Sequence, residues 1–199
     1  MKKILLLILV FSATLLTAKE KSKPVEFSLA PASKLKVELS SGNYELIPSK
    51  DGKLRVYYQA ADQPHLEAVK VDFSSTAKHG PQLVLSETPH SDFTATIELP
   101  AQTDLDLHLS AGTLNIRPGI IGSKLITVHA GDVSVDVGDP AQYGHVEAGV
   151  TIGDLDAAPF NAEKGALTRT LHQTGPGRYT LNVHVAVGNL RLVSAAAKK

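Results

Sequence analysis

Eight histidines and a scatter of aspartates are the side chains best equipped for chemistry in this 199-residue sequence. His108, His145 and His184 each stand four residues before a glycine, and His129 stands two before, all on the polar phase of strand-like segments. Stacked repeats would set His108, Thr127 and His145 in one outward row, and Ser110, His129 and Glu147 in the next. A metal centre read from this pattern takes His129, His145 and Glu147 as its ligands, because imidazole and carboxylate together suit zinc. Spacing argues against it: adjacent strands lie about 4.8 Å apart, so residues two strands away start about 9.6 Å apart. Only the diagonal from His129 to His145 survives, and two imidazoles with one carboxylate lack the supporting hydrogen bonds that metal-bound histidines keep. The expectation is no metal, with local His–Glu contacts on a solvated face.

Other chemistries fare no better. Asp132, Asp136, Asp139, Asp154 and Asp156 suggest calcium between turns, but calcium-binding β-rolls use a glycine-rich nonapeptide, and the period here is about twice that. These acids read instead as solvating loops and blunting strand edges. Ser, His and Asp are all abundant, yet there is no G-x-S-x-G elbow, no H-E-x-x-H and no phosphate-binding G-x-x-x-x-G-K. A polysaccharide-acting enzyme on a β-helix would need aromatic platforms, and the repeats contain only Tyr143. No catalytic residue, no cofactor and no enzyme activity are expected.

The absence of cysteine excludes disulfides, thiolate metal sites and an acylated lipoprotein cysteine. Lys plus Arg equals Asp plus Glu at 20 each, and loss of Lys2 and Lys3 with a leader would leave 18 basic residues. Between Asp104 and Phe160 eight acids face only Arg117 and Lys124. That local balance disfavours nucleic acid and anionic lipid.

The elements that must position the polar residues are set by a repeat. Leu105, Leu107, Leu109 and Ala111 alternate with Asp106, His108 and Ser110, the period-two pattern of a strand buried on one face. After Gly112 the apolar residues are Leu114 and Ile116, so their parity has switched. An uninterrupted strand would push those two into water, so the chain turns a corner at the glycine. The same grammar holds at Gly42, Gly131 and Gly188, with Ile126, Val128 and Ala130 leading into Gly131 and Val183, Val185 and Val187 into Gly188. Gly149 obeys only its first half, through Val146 and Ala148, and a further corner at Gly153 is the alternative. Corner spacings of 19, 18 and 39 residues predict an all-β, single-domain β-solenoid or roll-like repeat of short strands in which units bury their apolar faces on one another. A β-sandwich with regular hairpins is the competing architecture.

Taken in order, residues 1–18 read as a signal peptide: Lys2 and Lys3, an apolar run from Ile4 to Leu16, then Thr17 and Ala18. The run is too short to span a bilayer comfortably, since a transmembrane helix needs about 20 residues. Cleavage after Ala18 is expected, although Leu16 is larger than the residue favoured three positions before the cut, which keeps a retained anchor as the alternative. Residues 19–24 form a charged, mobile leader, 25–193 the β-strand-repeat domain, and 194–199 a small basic tail. Within the domain, Leu167 to Gln173 and Tyr179 to Val187 read as a hairpin around Gly175, Pro176 and Gly177.

The order of SSGNYELIP, IELPAQTDLDLHLSAGTLNI, HAGDVSVDV and GPGRYTLNVHVAVGNLRLV resembles the bacterial "toastrack" adhesin-type family of β-strand-repeat proteins, over roughly Val25 to Val193. The resemblance implies a β-helical or roll-like extracytoplasmic domain, periplasmic or secreted, with links in some members to envelope stress. It supplies no catalytic residues. The expected function is a non-enzymatic envelope module that meets another protein or a surface through a polar face including Thr127, His129, His145 and Glu147, without stable membrane insertion once the signal is removed. The alternative is a small-ligand, metal or glycan binder using the same histidine-rich face.

Overall fold

The computed structural model describes residues 20–30, 32–89, 92–161 and 169–194. The expected signal peptide and all of the tail beyond Ser194 lie outside these residues. The strands are β1 (Glu20–Lys21), β2 (Val25–Phe27), β3 (Lys34–Leu39), β4 (Gly42–Pro48), β5 (Leu54–Ala60), β6 (Lys70–Thr76), β7 (Gly80–Ser86), β8 (Thr94–Leu99), β9 (Asp104–Ile116), β10 (Lys124–Asp136), β11 (Tyr143–Ile152), β12 (Leu155–Asp156), β13 (Thr170–Thr174) and β14 (Tyr179–Val193). The described residues are all-β apart from one short helix, α1 (Gln63–Ala68), and two single 3₁₀ turns. Asp62 caps α1 by accepting from the His65 backbone N–H, and Pro64 sits in its first turn.

The fourteen strands among the described residues belong to one sheet, bent along a row of glycines. Gly42, Gly112, Gly131 and Gly188 are register partners on β4, β9, β10 and β14. At Gly131 φ is 143°, and a Cβ would overlap the carbonyl oxygen of Gly112 on the neighbouring strand. Both the backbone angle and the close approach therefore demand glycine. The bend divides the sheet into two arms. Residues before the corner form the lower arm, ordered β6, β7, β3, β9, β10, β14, β11, β13; residues after it form the upper arm, ordered β5, β8, β4, β9, β10, β14, β12.

The parity switch does what the sequence requires of it. Leu105, Leu107 and Leu109 of the lower arm and Leu114 and Ile116 of the upper arm all face one buried cluster inside the bend. Each such side chain contributes about 1.5–3 kcal/mol by leaving water. The inner run ends one position earlier than its alternation suggests, because the residue just before each corner glycine is turned outward. Ala130 is exposed, Ala111 only half-buried, and Val187 and its partner Ile152 are 48% and 60% exposed.

Two expectations are corrected. Gly149 is not a corner: it pairs with His184 and Thr170 and has no positive φ, whereas Gly153, at φ 139°, closes against Gly188. The period slips because the Pro140–Gln142 turn adds residues before β11. The predicted hairpin does not form either. β13 pairs antiparallel with β11, while β14 inserts between β10 and β11, parallel to both, so the units do not stack in sequence order. The Gly175–Gly177 link instead crosses the start of β11, where Cβ atoms at Gly144 and Gly177 would strike each other's backbone neighbourhood. Ahead of β2, Glu20 and Lys21 pair with Ala60 and Gln59, and Ser22 bonds Tyr58 through backbone and hydroxyl.

Candidate functional site

Because the core lies inside the bend, the outward rows of both arms are the surfaces that can meet a ligand. On the lower arm one row runs Lys36, Asp106, Leu125, Asn182, Glu147, and the row above it runs Glu38, His108, Thr127, His184, Gly149. Thr127 and His145 therefore do not share a row. With the corner at Gly153, His145 falls four residues below the row of Thr127, about 13 Å along the strand direction, and β14 lies between their strands. His129 is exposed on β10, and β14 lies between it and His145, so the expected diagonal does not form.

Glu147 gathers different partners. His145 Nε2 lies 4.0 Å and His172 Nδ1 3.9 Å from its carboxylate, and Asn182 Nδ2 donates to it at 3.3 Å. His172 sits directly across the β11–β13 ladder, a position that only the antiparallel pairing reveals. At these distances the imidazoles make ion pairs when protonated rather than hydrogen bonds. Among the described residues no group of three His, Asp or Glu side chains is arranged to hold a metal ion. The hydroxyl–imidazole pair Thr151–His184, at 3.4 Å, is exposed, and no carboxylate backs the imidazole among the described residues.

The upper arm brings Asp132, Asp154 and Asp156, which read from the sequence as loop and edge acids, together with polar residues of neighbouring strands. Thr113, Asp132, Asn189 and Asp154 form one outward row and Asn115, Ser134, Arg191 and Asp156 the next, together lining a trough of about 440 Å³. Asp132 Oδ1 accepts from Asn189 Nδ2 at 2.7 Å and from its backbone N at 3.2 Å, while Asn189 Oδ1 accepts from the Asp154 backbone N at 3.2 Å. Arg191 Nε pairs with Asp156 at 3.5 Å. The signal was present in the even–odd alternation after each corner, which puts Thr113, Asn115, Asp132 and Ser134 outward.

Lys124 is the other residue that composition alone could not place. It shares the inward parity of Ile126 and Val128, is 1% exposed, and donates to Ile120 O at 3.0 Å, Gly122 O at 3.1 Å and Tyr143 Oη at 3.0 Å. Burial lowers its pKa from 10.5 to about 8, with Asp104 pulling the other way. Burial likewise raises the Tyr143 phenol to about 12, helped by Asp136 and Tyr179. Far from the trough, the Arg55 guanidinium pairs with Glu26, Asp51 and Glu98; hydrogen bonds from Lys53 and then Arg55 hold the Glu26 carboxyl below its ordinary pKa. These charges line the β5 end of the sheet.

With that geometry in place the chain can be set beside known proteins. It superimposes on the crystal structure of a "putative cell adhesion protein" from Clostridium sporogenes with a TM-score of 0.61, covering 89% of this chain and 100% of that one at 15% identity. The two chains share one fold. The resemblance drawn from the sequence to a β-strand-repeat adhesin-type family thus holds at the level of architecture. A "putative adhesin" from Bacteroides fragilis matches over 89% of this chain and 99% of that one at 13% identity and a TM-score of 0.35, and another from Parabacteroides distasonis over 89% and 76% at 11% and 0.29; neither bears on the argument. No protein-family model matches the chain, and no curated protein does.

Proposed function

We propose that this protein is a non-enzymatic, exported envelope module that engages a macromolecular surface through the outer polar face of its bent sheet. The observation that carries this reading is the in-register stacking of β9, β10 and β14 over their full lengths. It fixes wide polar rows on a rigid support and leaves the apolar side chains for stability, the arrangement that repeat proteins use for binding. The cell-adhesion name of the Clostridium sporogenes protein agrees with a contact role at the cell surface. No helix among the described residues is long and apolar enough to cross a membrane.

The histidine-rich alternative loses its motive, because His129 is separated from the His145, Glu147 and His172 group by β14. Export follows from the charged start and short apolar run of residues 1–18. The test of the contact face is site-specific photo-crosslinking in cells, with probes at Thr127 and Asn115 and a control at Ser194. Capture from either face probe and none from the control supports the reading; capture only from Ser194 refutes it.

A further inference from the structure

We infer that the upper-arm trough is a binding site for an uncharged, hydroxyl-rich saccharide, an inference that rests on the outer face being a contact surface. The trough spans four neighbouring strands and two outward rows. Three strand spacings of about 4.8 Å by one two-residue step of about 6.7 Å give a footprint suited to a short oligosaccharide lying across the strands.

Its donors and acceptors match hydroxyl groups. No intramolecular hydrogen bond engages the Thr113, Asn115 or Ser134 side chain among the described residues, so two hydroxyls and an amide stand open in the trough. Beside them Asn189 is held in place by Asp132 and by the Asp154 backbone, and Asp132 keeps its second carboxylate oxygen clear of that contact. A sugar hydroxyl both donates and accepts, and this lining offers carboxylate acceptors, bifunctional hydroxyls and amides side by side. The groups are short and fixed on strands, so little side-chain freedom is lost on binding.

Charge selects the ligand class. Among the described lining residues Asp132 and Asp156 outnumber Arg191, and that excess of carboxylate disfavours phosphate, sulfate and uronate groups. A bare cation is a poorer match, because Asp132 already accepts two hydrogen bonds and Asp156 is paired with Arg191. Among the described residues no aromatic ring lines the trough, so ring stacking contributes nothing and each site binds weakly, with dissociation constants of about 0.1–10 mM.

The experiment is a ¹⁵N-resolved NMR titration of the chain from residue 19 onward. Its probes are the β-1,4-linked tetramer of N-acetylglucosamine and the neutral gluco-, manno- and galacto-tetrasaccharides, with calcium chloride and inorganic phosphate as separate arms. The expected result is saturable shifts from at least one saccharide at the amides of Thr113, Asn115, Asp132, Ser134 and Asn189. Affinity should fall at least tenfold in the Asn115→Ala, Ser134→Ala double variant, which breaks no intramolecular hydrogen bond. Unmoved trough amides with every saccharide, shifts located elsewhere, undiminished binding by the double variant, or a response to calcium or phosphate alone would each overturn the inference. If photo-crosslinking at Asn115 captures a partner while all four saccharides leave the trough unmoved, the saccharide assignment fails and the contact-face reading stands.

Discussion

Raising the pH from 7 to 9.5 should make this protein more stable, and Lys124 is the reason. Its ammonium is buried against two carbonyls and the Tyr143 hydroxyl, with a folded-state pKa of about 8 against 10.5 when exposed. Between those two values the unfolded chain holds a proton that the folded chain has released, so stability climbs with pH across that window and is lowest beneath it. At about 1.36 kcal/mol per pH unit the full effect is about 3 kcal/mol, of which about 2 kcal/mol is recovered by pH 9.5. In a domain of this size that corresponds to a rise in Tm of about 4–8 °C. The buried phenols act in the opposite sense. The folded pKa values of Tyr44 and Tyr143 lie above 10, so their contribution is lost only once the pH passes the unfolded value of about 10. Urea unfolding of the parent and of Lys124→Met, at half-unit steps from pH 7 to 9.5, isolates the lysine. The parent should gain about 2 kcal/mol relative to the variant over that range. A difference between the two that stays flat with pH would show that Lys124 remains charged inside the fold and refute the reasoning.

The corner glycines give a paired test: Gly131→Ala and Gly153→Ala should each cost more than about 2 kcal/mol in thermal or urea melts, through backbone overlap and positive φ, whereas Gly149→Ala should cost less than about 1 kcal/mol. Its nearest neighbours stand 3.6 Å from a new Cβ, and equal losses at all three positions would count against the Gly153 corner. Mass spectrometry of the mature N-terminus should find Lys19 first, and an intact Met1 on membrane-bound protein would contradict cleavage. Zinc titration calorimetry on untagged protein should show no binding tighter than about 1 μM, equivalent to about −8 kcal/mol, and a stoichiometric nanomolar isotherm lost in His145→Ala would overturn that.

The bend was legible in the sequence because it is written twice, once as a glycine and once as a change of parity in the flanking leucines and valines. Leu105 to Ile116 alone marks the inward residues on both sides of Gly112, except at Ala111, which the corner turns outward. Strand order was not legible. β14 has the same grammar as β9 and β10, so nothing local says that it slots between β10 and β11 rather than after them; that is decided by which ladder best satisfies a strand of fifteen residues. The GPG segment looked like a hairpin turn for the same reason, since glycine serves a tight turn and a close crossing equally well. The candidate face inherited both errors. Placing the corner at Gly149 rather than Gly153 displaced His145 by four residues, and missing the inserted strand joined it to Thr127. The upper-arm trough was not legible because Asp132, Asp154 and Asp156 read as separate loop and edge acids, and only the inserted β14 sets Asn189 and Arg191 between them.

The insertion of β14 between two parallel neighbours also sets how the molecule bears a pulling force. β14 is held from Tyr179 to Val193 by β10 on one side and by β11 and β12 on the other. Tension applied along it from beyond Ser194 loads both ladders in shear, with many slanted backbone hydrogen bonds sharing the strain at once. At the other end of the described chain, β1 and β2 pair only with β5, over two and three residues. Tension entering there peels those bonds one after another. A tether at the C-terminal side would therefore hold while the opposite end unzips, which gives the module a strong grip and a weak one.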